Sequence, residues 1–326
     1  MKTLILGGTQ FLGRQITQAC LDDGHEVTLF NRGQTNPGLF AGHAELITGD
    51  RDGGLDVLKG RAFDACIDPS GYVPRLVRDS VELMKDVVDH YTFISTISVY
   101  PEFVAGQDES ATLATLEDEN VEEVDDQTYG GLKVLCEQVA EELMPGRVLH
   151  SRSGLIVGPY DPTDRFSYWP LRVARGGDYI APVGPEMPVQ VIDARDQADW
   201  ILNCIKNGTT GVFNVTGSET NLGAVLDAAT AATGNDARPV WMTEAFLLEN
   251  EVTPWMDLPM WLPEEAKGMM QVSVARAEDA GLTTRPLEDT IADLLDWHHG
   301  DPDKMALGLK ADKESELLAK WASTNQ

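Results

Sequence analysis

Basic residues are scarce in this chain. Its 326 residues hold 25 Lys and Arg against 53 Asp and Glu, a formal net charge of −28. Between Glu102 and Asp126 there is neither Lys nor Arg. A surface of this sign repels phosphate backbones, so nucleic acid is an unfavourable partner. The excess of carboxylates reads either as a solubilising surface or as adaptation to high salt, where screening removes their mutual repulsion. Cysteine is scarce too. Cys20, Cys66, Cys136 and Cys204 are scattered with no Cys-x-x-Cys pair, which argues for reduced buried thiols rather than a disulfide framework. The six His are unclustered except His298-His299, so no metal site is expected. No apolar run reaches the roughly 18 residues of a membrane span. A glycine-rich turn begins too near Met1 for a cleaved signal peptide, and the expected location is the cytoplasm. At 42% hydrophobic residues the chain is ordinary for a globular protein and long enough for a core domain plus a smaller one.

The turn itself is the first informative feature. Thr3 to Leu6 is a short apolar run, as expected of the first strand of a parallel sheet. Gly7-Gly8-Thr9-Gln10-Phe11-Leu12-Gly13 follows. Gly7 allows a tight turn, and Gly13 lets the next helix pack closely on the strand, so that the helix N-terminus faces a pyrophosphate. Gln10 stands where the fingerprint usually has another glycine, so its side chain must turn away from the phosphate. Gly7, Thr9, Gln10, Phe11, Leu12 and Gly13 are the expected cofactor contacts. A strand–turn–helix with no ligand has the same local pattern, but a second strand, His25 to Phe30, follows at once and favours the dinucleotide.

That strand ends at Asn31-Arg32. A ribose-reading acid is expected roughly 20 residues past the glycine turn, and Asn31 takes its place. Asn31 is uncharged, and Arg32 can pair with a 2′-phosphate. The pair favours NADP(H) over NAD(H), with Arg14 a second candidate for the same phosphate and a solvated loop charge the plainer reading of Arg32.

Strand and helix keep alternating. Ala44 to Thr48 leads into Asp50-Arg51, where Asp50 is placed to accept from the adenine amine and Arg51 joins the cofactor set. Phe63 to Asp68 runs into Ser70-Gly71, and Tyr91 to Ile94 into Ser95-Thr96. This is the pattern of an α/β protein with a doubly wound parallel (Rossmann) sheet, whose ligands bind at the carboxyl ends of the strands. Tyr129-Gly-Gly-Leu-Lys133 then puts a phenol and an ammonium on one face of a helix. With the glycine turn, the pair points to a nicotinamide-dependent enzyme.

The ordered set of glycine turn, Asp50, Ser70-Gly71, Ser95-Thr96-x-x-Val99-Tyr100, Tyr129-x-x-x-Lys133 and Arg152-x5-Gly158-Pro159 resembles the extended short-chain dehydrogenase/reductases. Asp161 to Trp169 and Pro188 to Asp193 look like an epimerase/dehydratase clade related to chloroplast stem-loop RNA-binding proteins. The resemblance implies that Tyr129 is the general acid/base. It also implies that Lys133 lowers the phenol pKa and binds the nicotinamide ribose, and that Thr96 orients a substrate oxygen. Ile97-Ser98 stands where the sugar dehydratases carry Asp-Glu, which argues against dehydration. Leu155 and Val189 stand where nucleotide-sugar epimerases place an Asn and a diphosphate-binding Arg, which argues against a nucleotide-sugar substrate. The expected function is an NADP(H)-dependent oxidoreductase acting on a small molecule. The alternatives are a redox-neutral sugar epimerase or a non-catalytic nucleotide- or RNA-binding protein on the same fold.

Residues 1–157 with about 190–217 are expected to form the dinucleotide-binding domain, because Val212 to Val215 reads as a strand returning to the sheet. Residues 158–189 with about 218–326 would form a smaller α/β substrate domain. Glu102 to Gln127 is too long and polar for a simple connection and reads as a mobile lid or a solvated insertion. The resemblance implies a homodimer through helices near Pro74–Val88 and Tyr129–Met144, with Val134 and Ala140 widening the apolar face.

Overall fold

The computed structural model describes residues 1–298, 305 and 307–324; His299 lies outside the described residues. In chain order the regular elements begin β1 (Lys2–Leu6), α1 (Phe11–Asp22), β2 (Glu26–Asn31), β3 (Glu45–Thr48), β4 (Ala65–Asp68) and α2 (Pro74–Met84). There follow β5 (His90–Thr96), α3 (Tyr129–Leu143), β6 (Val148–Ser153), β7 (Leu155–Val157), α4 (Tyr168–Ala174), β8 (Asp178–Pro182), β9 (Pro188–Val189) and β10 (Val191–Asp193). The remainder is α5 (Ala194–Asn207), β11 (Gly211–Val215), β12 (Thr220–Asn221), α6 (Leu222–Thr233), β13 (Arg238–Met242), α7 (Glu244–Glu249), α8 (Ala275–Asp279), α9 (Leu287–Trp297) and α10 (Ala311–Thr324).

Two compact units result. The first comprises Met1–Leu155, Ala194–Thr216 and Val272–Thr283; the second comprises Ile156–Asp193, Gly217–Gln271 and Thr284–Gln326.

The first unit is built on a seven-stranded sheet in the order β11-β6-β5-β4-β1-β2-β3, parallel throughout. This is the doubly wound α/β architecture. The order reverses between β1 and β4, and that switch point is where such folds bind ligands. The central strands are apolar without alternation because both faces are covered. Leu4, Ile5, Cys66, Ile67, Tyr91 and Phe93 are all fully buried. The expected return of the chain near Val212 is present as β11, which pairs with β6 in register Val212 to His150.

α2 begins with Pro at its first position, where a missing N–H costs nothing, and buries Val77, Ser80, Val81 and Met84. α3 buries nearly all its length. Val134 and Ala140, expected to extend an apolar face toward a partner, are 3% and 0% exposed within the single chain. The outward residues of these two helices are Arg75, Arg78, Asp79, Glu82, Gln138, Glu141 and Glu142, and Arg78 pairs with Glu142.

The second unit packs α4, α6 and α9 against one another and pairs β8 with β13 in parallel. Its aromatic residues Phe166, Tyr168, Trp169 and Trp261 are fully buried. They are therefore core. α10 is fastened to the unit by an ion pair from Arg172 to Glu314 at 2.8 Å, both side chains 5% exposed.

Among the described residues no helix is long and apolar enough to cross a membrane, and no group of three His, Cys, Asp or Glu could hold a metal ion.

Candidate active site

The glycine turn is set by close packing. Gly7 and Gly8 have φ of 123° and 90°, which L side chains rarely adopt. A Cβ on Gly8 would lie 2.7 Å from Leu29 and 2.8 Å from Thr17. Gly13 sits over Gly8, with a Cβ there 3.2 Å from the Gly8 backbone. Gly8 is thus as constrained as Gly13, although the sequence reading assigned it nothing; the Gly-Gly doublet was the available signal. At Gly7 a Cβ would meet Pro69 and Ser70 at 3.7 Å, an ordinary contact, so it is the φ of 123° rather than lack of room that calls for glycine there.

Gln10 caps α1 in extended conformation (φ −130°, ψ 137°) and is exposed. No glycine is needed there, because the left-handed backbone falls on the next residue, Phe11 (φ 39°). Thr17 Oγ1 lies 2.9 Å from the Gly8 carbonyl and 2.8 Å from that of Gly13, tying the helix to the turn. Thr9 Oγ1 donates to Thr35 O at 2.9 Å, which fastens the turn to the loop after β2. Leu12 is buried under α1.

Asn31 ends β2 as expected, but its amide is occupied within the protein. Nδ2 donates to Gly7 O at 3.0 Å, and Oδ1 accepts from Gly33 N at 2.9 Å. It knits the loop to the glycine turn. Arg32 beside it is exposed and has no ion pair among the described residues. Asp50 is exposed and accepts from Asp52 N at 3.0 Å.

Arg51 is placed differently from expectation. Its guanidinium grips Asp68 with Nη1–Oδ1 3.0 Å and Nη2–Oδ2 2.8 Å, and Nη2 also donates to Ser80 Oγ at 2.8 Å. Asp68 is fully buried at the end of β4 and accepts further from Ser70 N and from Tyr91 OH, each at 3.0 Å. Burial opposes the Asp68 charge, yet Arg51 overrides it and holds the carboxyl below its usual range. Arg51 therefore braces the strand ends instead of reaching toward a cofactor. Ser70 Oγ donates to Leu6 O at 2.7 Å, joining β1 and β4 across the switch point. Gly71 has no room for a Cβ, which would lie 2.6 Å from Phe93.

Tyr129 is the first residue of α3 and is half-buried. The glycines after it are costly in a helix, roughly 1 kcal/mol each relative to Ala, and their surroundings explain them. A Cβ on Gly130 would collide with the Ser98 carbonyl, and one on Gly131 would lie 2.5 Å from Leu116. Thr96, 7% exposed at the end of β5, accepts from Ser98 N at 3.1 Å and lies 3.2 Å from Ser98 Oγ.

Lys133, one turn after Tyr129, is 3% exposed. Its ammonium donates to Gly71 O at 2.7 Å and to Ile94 O at 2.5 Å, bridging the loop after β4 to β5. It also lies 4.4 Å from the Phe93 ring centre and 5.0 Å from that of Tyr72. Burial pushes its pKa down from 10.5 to about 8.

Below Thr96 lies a second buried network. Arg152 grips Glu137 with Nε–Oε1 3.0 Å and Nη2–Oε2 2.7 Å, and Ser95 Oγ donates to Glu137 Oε1 at 2.5 Å. Arg152 Nη1 reaches Tyr100 OH at 3.0 Å, and that phenol donates to Asn214 Oδ1 at 2.7 Å. Glu137 was not foreseen, though its place four residues after Lys133 on the same helix was a signal.

The 102–127 segment carries no helix or strand beyond isolated turns but is anchored at several points. Ala114 N donates to Val99 O at 2.7 Å, Ser273 N to Gln107 O at 2.8 Å, and Asn214 N to Glu109 Oε1 at 2.7 Å. Arg75 pairs with Glu122 at 2.7 Å and with Asp52 at 2.9 Å. The segment is an acidic strap stitched to its surroundings at these points.

No protein-family model matches the sequence, and no curated protein matches it. Solved structures do. UDP-glucuronic acid 4-epimerase from Bacillus cereus, in complex with NAD, is 14% identical with a TM-score of 0.68, covering 92% of this chain and 98% of that one. UDP-N-acetylglucosamine 4-epimerase from the same organism is 16% identical with a TM-score of 0.65, covering 92% of this chain and 100% of that one. The UDP-Glc/GlcNAc 4-epimerase of Campylobacter jejuni is 16% identical with a TM-score of 0.67, covering 91% and 98%. At such identities the likeness is one of fold: the chain has the Rossmann-like α/β fold of these sugar-nucleotide enzymes.

Proposed function

We propose that this chain is a nicotinamide-dinucleotide enzyme of the extended short-chain dehydrogenase/reductase type, moving a hydride and a proton at a carbinol or carbonyl carbon of a small molecule. The observation that carries this reading is Lys133. A buried ammonium, one helical turn from Tyr129, sits at the ends of β4 and β5 on the sheet that also presents the Gly7–Gly13 turn. A Lys held this way serves chemistry more readily than stability, since burial costs it solvation and no carboxylate among the described residues pairs with it directly.

The residues present fit a dinucleotide at its pyrophosphate end, where the close Gly8–Gly13 contact packs the start of α1 against the turn after β1. The turn would hold the pyrophosphate, and Arg32 would meet an adenosine 2′-phosphate, which makes NADP(H) the proposed form; the Bacillus cereus neighbour was solved with NAD. When bound, the nicotinamide supplies the hydride donor or acceptor. Tyr129 gives or takes the proton of the substrate oxygen at its phenol. Lys133 holds a positive charge below that phenol and favours its ionised form. Thr96 turns its hydroxyl from Ser98 to the substrate oxygen. Ile97 and Ser98 provide no acid–base pair for dehydration.

A second reading is a redox-neutral epimerase using the same three residues, favoured by the 4-epimerase fold neighbours. A UDP-sugar is not the proposed substrate. Leu155 and Val189, standing at the nucleotide-sugar contact positions, are 3% and 0% exposed. The homodimer expected from the resemblance would have to form through charged helix faces, and light scattering at several salt concentrations reads it.

Absorbance and mass spectrometry of the purified protein separate the two readings: tightly retained cofactor supports the epimerase, exchangeable cofactor the reductase. Tyr129→Phe keeps the ring and removes the proton, so turnover should fall about a hundredfold with cofactor affinity nearly unchanged. Near-normal turnover in that variant would remove Tyr129 from the chemistry.

A further inference from the structure

The strand-end site contains one residue that no motif announced. Tyr72 follows Gly71 at the end of β4, and its ring packs against both members of the Tyr129–Lys133 pair. Its centre is 5.0 Å from Lys133 Nζ and 6.3 Å from the Tyr129 ring, tilted by 36°. The Lys133 ammonium lies against the carbonyls of Gly71 and Ile94 and the faces of Phe93 and Tyr72. Three of these cannot yield. The Ile94 carbonyl belongs to β5, the Gly71 carbonyl to a glycine packed so closely that a Cβ would lie 2.6 Å from Phe93 and 2.8 Å from Val77, and Phe93 is 0% exposed in the sheet core. Tyr72 is 46% exposed and lies in the loop between β4 and α2, so it is the wall that faces solvent.

We propose that Tyr72 is a gate over Lys133: its ring seals the ammonium from solvent in the free protein and must swing aside before a dinucleotide ribose can reach it. The proposal rests on the dinucleotide reading for what opens the gate, but the seal itself does not. An ammonium has three hydrogens, and two are already spent on carbonyls. Two rings flank the ammonium, and of these Phe93 is closed in the core while that of Tyr72 reaches solvent, so a ribose hydroxyl would approach past Tyr72, whose face attracts the cation and excludes water. A closed gate lowers apparent affinity by the fraction of molecules that are open. Removing the ring should thus tighten cofactor binding, whereas removing an ordinary binding residue weakens it. Tyr72 is a positioning residue on this account, acting through Lys133.

The experiment has two arms on the full-length protein. In the first, reductive methylation at pH 8, near the Lys133 pKa, is followed site by site by peptide mass spectrometry without cofactor. Lys133 should be protected in the parent protein and in Tyr72→Phe, and should react about tenfold faster in Tyr72→Ala. In the second, NADPH and NADH are titrated and their association rates measured. Tyr72→Ala should bind about threefold more tightly through faster association, and Tyr72→Phe should match the parent. Equal Lys133 labelling in parent and Tyr72→Ala, or weaker dinucleotide binding in Tyr72→Ala, overturns the gate. If labelling rises but no variant binds either dinucleotide, the seal stands and the cofactor reading falls. Circular dichroism and thermal melting check the fold, and Tyr72→Leu serves in place of the alanine variant should that one unfold, since it too removes the flat face.

Discussion

Lys133 and Arg152 are buried in the first unit and Arg51 is largely so, its side chain 12% exposed, and these cations are held in two different ways. Arg51 and Arg152 each grip a carboxylate with two parallel hydrogen bonds, to Asp68 and Glu137. Lys133 lies near both networks but donates to the neutral carbonyls of Gly71 and Ile94, with no ion pair among the described residues. For the arginines burial opposes the charge, the carboxylate overrides it, and the pKa rises. For Lys133 burial prevails and the pKa falls to about 8. The contrast separates structure from chemistry. A guanidinium locked to a carboxylate stays charged at every working pH and braces strand ends. An ammonium without such a partner is poised to change charge within reach of ordinary pH.

The sharpest way to break this comparison is to remove a brace. Arg51→Met leaves Asp68 charged and fully buried, and Asp68→Asn leaves the guanidinium without its partner. Either should cost about 3–5 kcal/mol, as breaking a buried pair does, read by urea unfolding at neutral pH. The pH dependence has a definite sign. Asp68 is held below its unfolded pKa, so its contribution is present above about pH 4 and is lost as pH falls through the folded value. A cost near zero would mean that the pair is not a brace.

Lys133→Met tests the other side. The folded pKa of about 8 lies below the unfolded value of about 10.4, so between these values the unfolded chain binds a proton that the folded one has shed. Stability should therefore rise with pH across that window in the parent relative to Lys133→Met, by about 3 kcal/mol in all. Below pH 8 the difference between the two proteins should be flat. Urea unfolding of both at pH 7.5 and 10 reads it, and parallel pH profiles would show that Lys133 keeps its charge.

What the sequence disclosed and what it hid follow the same division. The parallel sheet was legible because its central strands are apolar on both faces and its turns carry glycine. The return of the chain at β11 was legible for the same reason. The roles of individual polar residues were less so. Arg51 and Asn31 stand at positions that suggest ligand contacts, yet their side chains are spent on Asp68 and on the Gly7 and Gly33 backbone. Spacing reveals where a residue falls on a strand but not which buried acceptor competes for it. The Val272–Thr283 stretch of the first unit carries no motif; Arg276 over the Phe213 ring, 4.8 Å from its centre, is a contact that only the folded chain reveals. Tyr72 was passed over because an aromatic after a Ser-Gly turn is unremarkable until Lys133 is seen beneath it.

Arg32 extends the comparison to an exposed cation with no ion pair among the described residues. If it is kept for a 2′-phosphate, NADPH should bind at least about ten times more tightly than NADH, and Arg32→Ala should narrow that gap by about 1–3 kcal/mol, the worth of a charge-assisted hydrogen bond. Stability should not change, because Arg32 braces nothing. Isothermal titration of both dinucleotides decides it; equal affinities would return Arg32 to the solvated surface.

Arg75 gives the smallest effect and the most specific salt signature. It pairs with Asp52 and Glu122 as the buried arginines pair with their acids, but its side chain is 47% exposed, and exposed pairs contribute little. Its purpose is local: it ties the acidic strap to the loop after β3. Two salt effects oppose each other there. Screening weakens the Arg75 pairs, and it also relieves repulsion among carboxylates in a segment without Lys or Arg. Arg75→Ala removes the first effect and keeps the second. In low salt, limited proteolysis should cut the 102–127 segment faster in Arg75→Ala than in the parent. As salt rises, cleavage of the variant should slow and the two rates should converge. Equal rates at low salt would show that the backbone anchors at Ala114 and Gln107, with Glu109, hold the strap without help from Arg75.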